Sequence, residues 1–183
     1  MTPPPLAGGG WGEGYAVRSR TIPDAQDPRM LRVIAIGRLK DAPEATLFTR
    51  YATRMRPTLT LTEIPEARGA PTEIKRRESA ALLAALPTAA FAIALDQSGE
   101  TPDSAQLARL LDRWLTLARP ICFLIGGAEG LDASVLTRAD ATLSLGALTW
   151  PHFLARAMLA EQLYRARTIA AGHPYHRAGR PDA

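Results

Sequence analysis

An α/β fold, with a mostly parallel sheet of five or six strands and helices on both faces, is predicted by three features of the sequence. Short apolar runs alternate along the chain with longer segments of helical periodicity. The runs LRVIAI (31–36) and ICFLI (121–125) are apolar almost throughout rather than at every second residue, and Gly and Pro punctuate the boundaries. A strand that returns to the same sheet through a helix pairs in parallel, and such strands are buried on both faces and read as continuous apolar runs.

Residues 1–29 are rich in Pro and Gly (TPPPLAGGGWGEG, then TIPDAQDPR) and lack the basic start and unbroken apolar stretch of a signal peptide. They are expected to be a disordered extension or the product of a misassigned start, because hydrophobic order begins at Met30. From there LRVIAI predicts a first strand, and Glu44–Met55 a helix with Leu47, Phe48 and Tyr51 on its inner side. LTLTEI (59–64) predicts a second strand with period-two patterning, bracketed by Pro57 and Pro65. Pro71–Leu86 reads as a helix with Ile74, Leu82 and Leu86 inward and Lys75, Arg76 and Arg77 on a solvated face. AAFAIAL (89–95) is the third strand, followed by a helix over Asp103–Ala118 that opens on a Thr-Pro-Asp-Ser start signal and carries Leu107, Leu110, Leu111 and Trp114 at helical spacing. ICFLI is the fourth strand, closed by GGAEG, and a short helix runs from Asp132 to about Arg138. LSLGAL (143–148) predicts a last strand passing into a loop at Gly146. Thr149 is expected as N-cap and Pro151 in the first turn of a final helix through Leu154, Ala157, Met158, Leu163 and Ile169, stopped by Gly172. Pro174 keeps the tail HPYHR out of that helix, and residues 178–183 are expected to be disordered.

A chain of 183 residues suits one domain with a core that needs no disulfide or metal. The formal charge is +4, carried almost wholly by Arg, whose planar fork pairs with phosphate; the balance permits an anionic partner without requiring one. The single cysteine, Cys122, lies inside ICFLI and reads as a small buried hydrophobe. No apolar stretch approaches the roughly 20 residues that span a bilayer, so a cytoplasmic protein is expected.

In an open parallel sheet the ligand crevice lies beyond the carboxyl ends of the strands, which singles out Leu95-Asp96, Gly126-Gly127 and Leu145-Gly146. GGAEG (126–130) has two readings, a turn whose exposed N–H groups meet a phosphate-bearing ligand and a tight turn with no ligand. Its spacing matches neither GxGxxG nor GxxxxGK[ST], which disfavours a nucleotide-dependent oxidoreductase. His152, His173 and His176 do not form a metal-ligand pattern, because a helix separates the first from the others and no Cys or HExxH accompanies them. His152 reads as a capping or packing residue. Glu161 is spaced to pair with Arg165 at i,i+4. Tyr175, His176 and Arg177 are either a frayed terminus or a set of stacking, hydrogen-bonding and phosphate-pairing groups of the kind used on RNA.

From Met30 to Arg177 the chain resembles the RlmH-type ribosomal RNA methyltransferases of the SPOUT superfamily. The matching pieces are RVIAIGRLK, the EIP of the second strand, ALD (94–96), FLIGGAEGL (123–131) and LSLGALTWPHFLARAMLAEQLYRARTIAAGHPYHR (143–177). The resemblance implies one domain over 30–177 with a C-terminal trefoil knot. It implies a homodimer that transfers a methyl group from S-adenosyl-L-methionine to N3 of a pseudouridine in large-subunit (23S) rRNA within the ribosome. Its cofactor pocket falls here on Leu95, Gly126, Gly127 and the loop Leu145, Gly146, Ala147, Leu148, Thr149 and Trp150. The catalytic candidates become His152, Glu161 and Arg177, and the RNA-contacting ones Arg156, Tyr164, His173, Tyr175, His176 and Arg177. The loop departs from the family at Gly146 and Trp150, where other small and apolar residues also serve; the Trp150 indole offers a face for adenine. The competing expectation is a non-catalytic RNA- or ribosome-binding protein of the same fold.

Overall fold

A computed structural model describes residues 30–40 and 42–172. Five strands alternate with five helices: β1 (Leu31–Ile36), α1 (Pro43–Ala52), β2 (Leu59–Ile64), α2 (Pro71–Ala84), β3 (Phe91–Glu100), α3 (Ser104–Leu115), β4 (Ile121–Ile125), α4 (Ala133–Arg138), β5 (Ala141–Leu143) and α5 (His152–Ala170). The sheet runs β2-β1-β4-β3-β5 with every pairing parallel. Leu31 stands opposite Leu59 on one side and Ile121 on the other.

Alternate side chains of the three inner strands feed two cores. Leu31, Val33 and Ala35 of β1 and Ile121, Phe123 and Ile125 of β4 face the layer formed by α1, α3 and α5. Ile34, Ile36, Cys122 and Leu124 face the opposite layer, where Leu82 of α2 and Val135 of α4 cover them. Strands covered on both sides this way account for the nearly unbroken apolar runs. The thiol of Cys122 is wholly buried, and that burial pushes its pKa up to about 11.

Helix α3 begins as its start signal foretold. Asp103 Oδ1 accepts the Gln106 N–H at 2.6 Å while Gln106 Oε1 accepts the Asp103 N–H at 2.8 Å, a reciprocal capping box. Other boundaries differ from expectation. Helix α1 stops at Ala52 rather than Met55, and the Thr53 hydroxyl donates back to the Thr49 carbonyl at 2.9 Å in the closing turn. Leu47 is exposed, because the inward stripe of α1 passes through Phe48 and Ala52 and leaves its neighbour to one side.

Two further differences shape the end of the sheet where ligands are expected. Strand β3 does not end at Leu95 but continues to Glu100. Its pairing with β5 breaks after Leu95↔Leu143 and resumes at Glu100, whose carbonyl accepts the Ser144 N–H at 2.8 Å. Gly99 permits the approach, since a Cβ there would sit 2.7 Å from the Leu143 backbone. Strand β5 spans Ala141–Leu143, two residues ahead of LSLGAL, so Leu145 already belongs to the loop. Thr149 is not the N-cap of α5; Pro151 occupies that position without a side-chain bond, and the Thr149 hydroxyl instead accepts from Gln97 Nε2 at 2.7 Å.

Candidate functional site

Beyond the carboxyl ends of β4 and β5, and beside β3 where its pairing with β5 breaks after Leu95, lies a cavity of about 330 Å³. Leu95, Asp96 and Gln97 reach it from β3, Ile125 and the turn 126–130 from β4, Ser144 to Gly146, Leu148, Thr149 and Trp150 from the loop after β5, and His152 and Ala155 from α5. The three segments selected from the sequence therefore meet, although Leu95-Asp96 lies within β3 and Leu145-Gly146 in the loop after β5. Of the residues assigned to the cofactor by resemblance, Leu95, Gly126, Gly127, Leu145, Gly146, Leu148, Thr149 and Trp150 line the cavity, and Ala147 lies exposed in the same loop without lining it.

Local packing explains the glycine turn. Gly130 donates its N–H to the Gly127 carbonyl at 3.1 Å, and a Cβ on Gly126 would lie 2.7 Å from the Gly130 carbonyl carbon and 2.8 Å from its oxygen. A Cβ on Gly127 would lie 2.6 Å from Glu78 Oε2. Gly126 is thus required by close approach to backbone, a side chain on Gly127 would have to displace the Glu78 carboxylate, and the turn they make also forms one wall of the cavity. Glu78 and Ser79 of α2, both buried, support that wall from behind. Glu78 Oε1 accepts the Ala67 N–H at 3.0 Å, and the Ser79 hydroxyl accepts the Asp132 N–H at 3.0 Å just past the turn.

The opposite wall is the loop 144–151. Gly146 has φ +110°, a conformation that excludes most side chains. The buried Ser144 hydroxyl accepts the Gly146 N–H and donates to the Gly146 carbonyl, both at 3.1 Å. With Gln97 holding Thr149, the loop is tied to β3 while Leu148, 68% exposed, and Trp150, 36% exposed, leave apolar surface at the rim. Asp96 and Glu129 bring negative charge to the same rim. Sequence reasoning missed Gln97, Glu129 and Ser144 as lining residues; the ALD ending pointed at Asp96, whereas Gln97 meets Thr149 across 52 positions and leaves no local signal.

His152 lines the cavity with its Nε2 3.5 Å from Glu66 Oε1, an ion-pair distance without hydrogen-bond geometry, and its ring lies 4.1 Å from that of Phe153. Burial, aided by the positive Arg156 nearby, lowers its pKa below the ordinary value, and Glu66 opposes the shift. The unfolded chain therefore takes a proton that the folded one resists, so stability falls as pH drops below about 6.5 and the loss levels off below the depressed folded value. Between about pH 7.5 and about pH 5.5 the melting temperature should fall further in the unaltered protein than in His152→Gln, measured by circular dichroism; equal falls would exclude this linkage.

Arg156, an RNA contact by the resemblance, is instead fully buried and donates to the carbonyls of Ile36 and Gly37 and to Glu63 Oε1, the last two at 3.1 and 3.2 Å. Desolvation lowers its pKa, with Glu63 and Glu66 opposing. Tyr164, also assigned to RNA, is 7% exposed and packs in the core 5.8 Å from the Tyr51 ring, under the Arg54 guanidinium at 4.6 Å. Glu161 does not line the cavity; it pairs with Arg165 at 2.5 Å, the i,i+4 partner that the spacing indicated. His173, Tyr175, His176 and Arg177 lie outside the described residues, as do the extension 1–29 and the tail 178–183.

A volume of a few hundred Å³ suits a small organic ligand. Apolar rim groups, exposed backbone of glycine turns and the carboxylates of Asp96 and Glu129 suit one that combines a flat ring with cationic centres, as S-adenosyl-L-methionine does. No helix among the described residues is long and apolar enough to cross a membrane. The family model described as "Predicted SPOUT methyltransferase" matches residues 30–176. A protein of Gluconacetobacter diazotrophicus named "Ribosomal RNA large subunit methyltransferase H" is 66% identical over 151 residues, covering 82% of this chain and 99% of that protein. Proteins of the same name from Acidiphilium cryptum and Rhodospirillum rubrum are 57% and 49% identical, covering 82% and 81% of this chain and 96% and 99% of their own lengths.

Proposed function

The chain belongs to the SPOUT methyltransferase family, and from that premise we propose that it methylates N3 of a pseudouridine in large-subunit rRNA, on the assembled ribosome and as a homodimer. It is an S-adenosylmethionine-dependent rRNA methyltransferase, and with its family comes the C-terminal trefoil knot. The observation that carries the reading is the convergence of three distant segments, one within β3 and two that follow β4 and β5, on one cavity of about 330 Å³ whose walls are two glycine-bearing turns.

The bound cofactor supplies a methyl group already activated on a sulfonium, so no protein acid has to assist the leaving group. The task left to the chain is to hold that methyl and the accepting nitrogen in line, and alignment alone is worth about 7–11 kcal/mol of barrier. Gly126 and Gly127 bring backbone close to the ligand on one side. The loop Leu145, Gly146, Ala147, Leu148, Thr149 and Trp150 closes the other, Trp150 offering an indole face to the adenine. Leu95 and Asp96 form the floor between them. His152, at the wall of the cavity, serves the base or the groups that orient it, whereas Glu161, further along the same helix, stands away from the cavity and pairs with Arg165. Tyr175, His176 and Arg177, with His173, hold the nucleotide across the dimer.

The test is methyl transfer to purified large subunits or ribosomes lacking the modification, followed by mass mapping of the rRNA. One added methyl on a pseudouridine is expected; methyl on another nucleotide, or none, would sink the reading. In the same assay Arg177→Ala should lose methylation while S-adenosylmethionine affinity by calorimetry stays within about twofold, because the arginine acts on the acceptor side. An unchanged rate would remove the tail from the site.

A further inference from the structure

A second cavity, of about 510 Å³, opens beyond the carboxyl ends of β1 and β2. Arg38 and Lys40 border it from the connection after β1, Arg68 and Glu66 from the connection after β2, and Phe153 from α5. It shares a wall with the first cavity. His152 lines one and Phe153 the other, and His152 Nε2 lies 3.5 Å from Glu66 Oε1. The first turn of α5 forms that wall, and no side chain caps it, so its N–H groups retain their attraction for anions.

Among the described residues some surface cations have an ion pair and others, Arg50, Arg109 and Arg113 among them, do not. Arg76, Arg138, Arg165 and Arg167 each pair with a carboxylate. Arg38, Lys40 and Arg68 are exposed, and none of them has an ion pair among the described residues. Lys40 also adopts φ +40°, a left-handed conformation that costs a side-chain-bearing residue energy. The chain holds it there through the Leu39 N–H, which donates to Glu63 Oε1 at 2.7 Å, and the Ala42 N–H, which donates to the Leu39 carbonyl at 3.0 Å. Glu63 is in turn the partner of buried Arg156. A strained residue maintained through the partner of a buried arginine, with no ion pair of its own among the described residues, at a cavity, is the pattern of a ligand contact.

We infer that this second cavity binds the sugar-phosphate backbone of the RNA strand whose base enters the first. The inference rests on the reading of the chain as an rRNA methyltransferase and adds where the strand runs. Among the described lining residues, three cations stand against the carboxylate of Glu66, a positive balance. Guanidinium forks pair two-pronged with phosphate oxygens, and such contacts set position and register without reading sequence. A strand lying across the α5 N-terminus passes from one cavity to the other, so the backbone is gripped beside the point where the base turns inward.

The experiment uses ribosomes lacking the modification as methyl acceptor, with the double variant Arg38→Glu/Arg68→Glu and the single variant Lys40→Gly. In the double variant KM for ribosomes should rise about tenfold or more while S-adenosylmethionine affinity stays within about twofold, as for lost phosphate contacts. The slope of log(kcat/KM) against log salt should flatten by about 1.4, at about 0.7 per phosphate contact of a single strand. Lys40→Gly should raise KM for ribosomes with a melting temperature equal to or above that of the unaltered protein, because strain is relieved as charge is lost. Unchanged KM and salt slope in both variants would overturn the inference. Lost cofactor affinity would do so too, since the cations would then serve the methyl-donor cavity. An unaltered enzyme that fails to methylate ribosomes counts against the functional reading alone; equal binding of a labelled single-stranded RNA by it and the double variant would then overturn the cavity's role.

Discussion

Arg156→Ala should lower the melting temperature by about 6–12 °C, the consequence of about 3 kcal/mol lost in a chain of this size. The guanidinium is fully buried and ties α5 to the end of β1 through the Ile36 and Gly37 carbonyls, and to β2 through Glu63. Its removal strands two carbonyls that face no water and frees the carboxylate that also holds the Leu39 N–H. Arg156→Met restores most of the volume and should still lose most of that stability, which separates the bonds from the cavity. Arg156→Lys should fall between, since an ammonium keeps the charge without the fork. Thermal unfolding followed by calorimetry decides the matter, and a Met variant as stable as the unaltered protein would show that volume, not hydrogen bonding, is what Arg156 supplies.

Gly126→Ala should weaken S-adenosylmethionine binding by about fivefold to a hundredfold, the equivalent of the 1–3 kcal/mol that overpacking costs. The added methyl meets the Gly130 carbonyl group at 2.7 and 2.8 Å, and backbone cannot swing aside as a side chain can. The turn must open, and with it the wall of the cavity. Gly130→Ala is the comparison: a Cβ there meets nothing within 4 Å but must sit at φ +74°, so its effect should fall on stability more than on affinity. Calorimetric titration of both variants distinguishes wall geometry from backbone strain; equal affinities for Gly126→Ala and the unaltered protein would refute the packing account.

Much of the fold was legible because burial on two faces leaves a one-dimensional mark. LRVIAI, LTLTEI and ICFLI coincide with β1, β2 and β4 residue for residue, each β-branched or apolar except for Arg32 and Glu63 and bounded by Gly or Pro. The continuation of β3 through Gln97 to Glu100 was not legible. Those residues are polar, and they are extended because β5, more than 40 positions later, resumes pairing at Leu143. Within the site, the glycines of β4 and of the loop after β5 were visible as punctuation, and the rule that ligands gather at strand ends brought them together. The roles of charged residues were not visible. Arg156 and Arg165 look alike along α5, yet one is fully buried against carbonyls about 120 positions away while the other pairs at the surface with its helical neighbour Glu161. Arg38 and Lys40 read as part of a strand-ending motif, and only the fold sets Arg68 opposite them around the same cavity.

Placing β4 between β1 and β3 also governs how the chain reaches this state. The first strand made, β1, gains its second neighbour only when residues some 90 positions later arrive, Leu31 meeting Ile121. Closing such loops costs entropy before the sheet repays it, and pairings of this separation slow folding. The cavity of about 330 Å³ needs β3, β4, β5 and the start of α5 together, so no early hairpin or helical pair contains it. Affinity for a ligand of that cavity thus belongs to the last stage of folding, and a ligand that binds only there draws the equilibrium toward the finished chain.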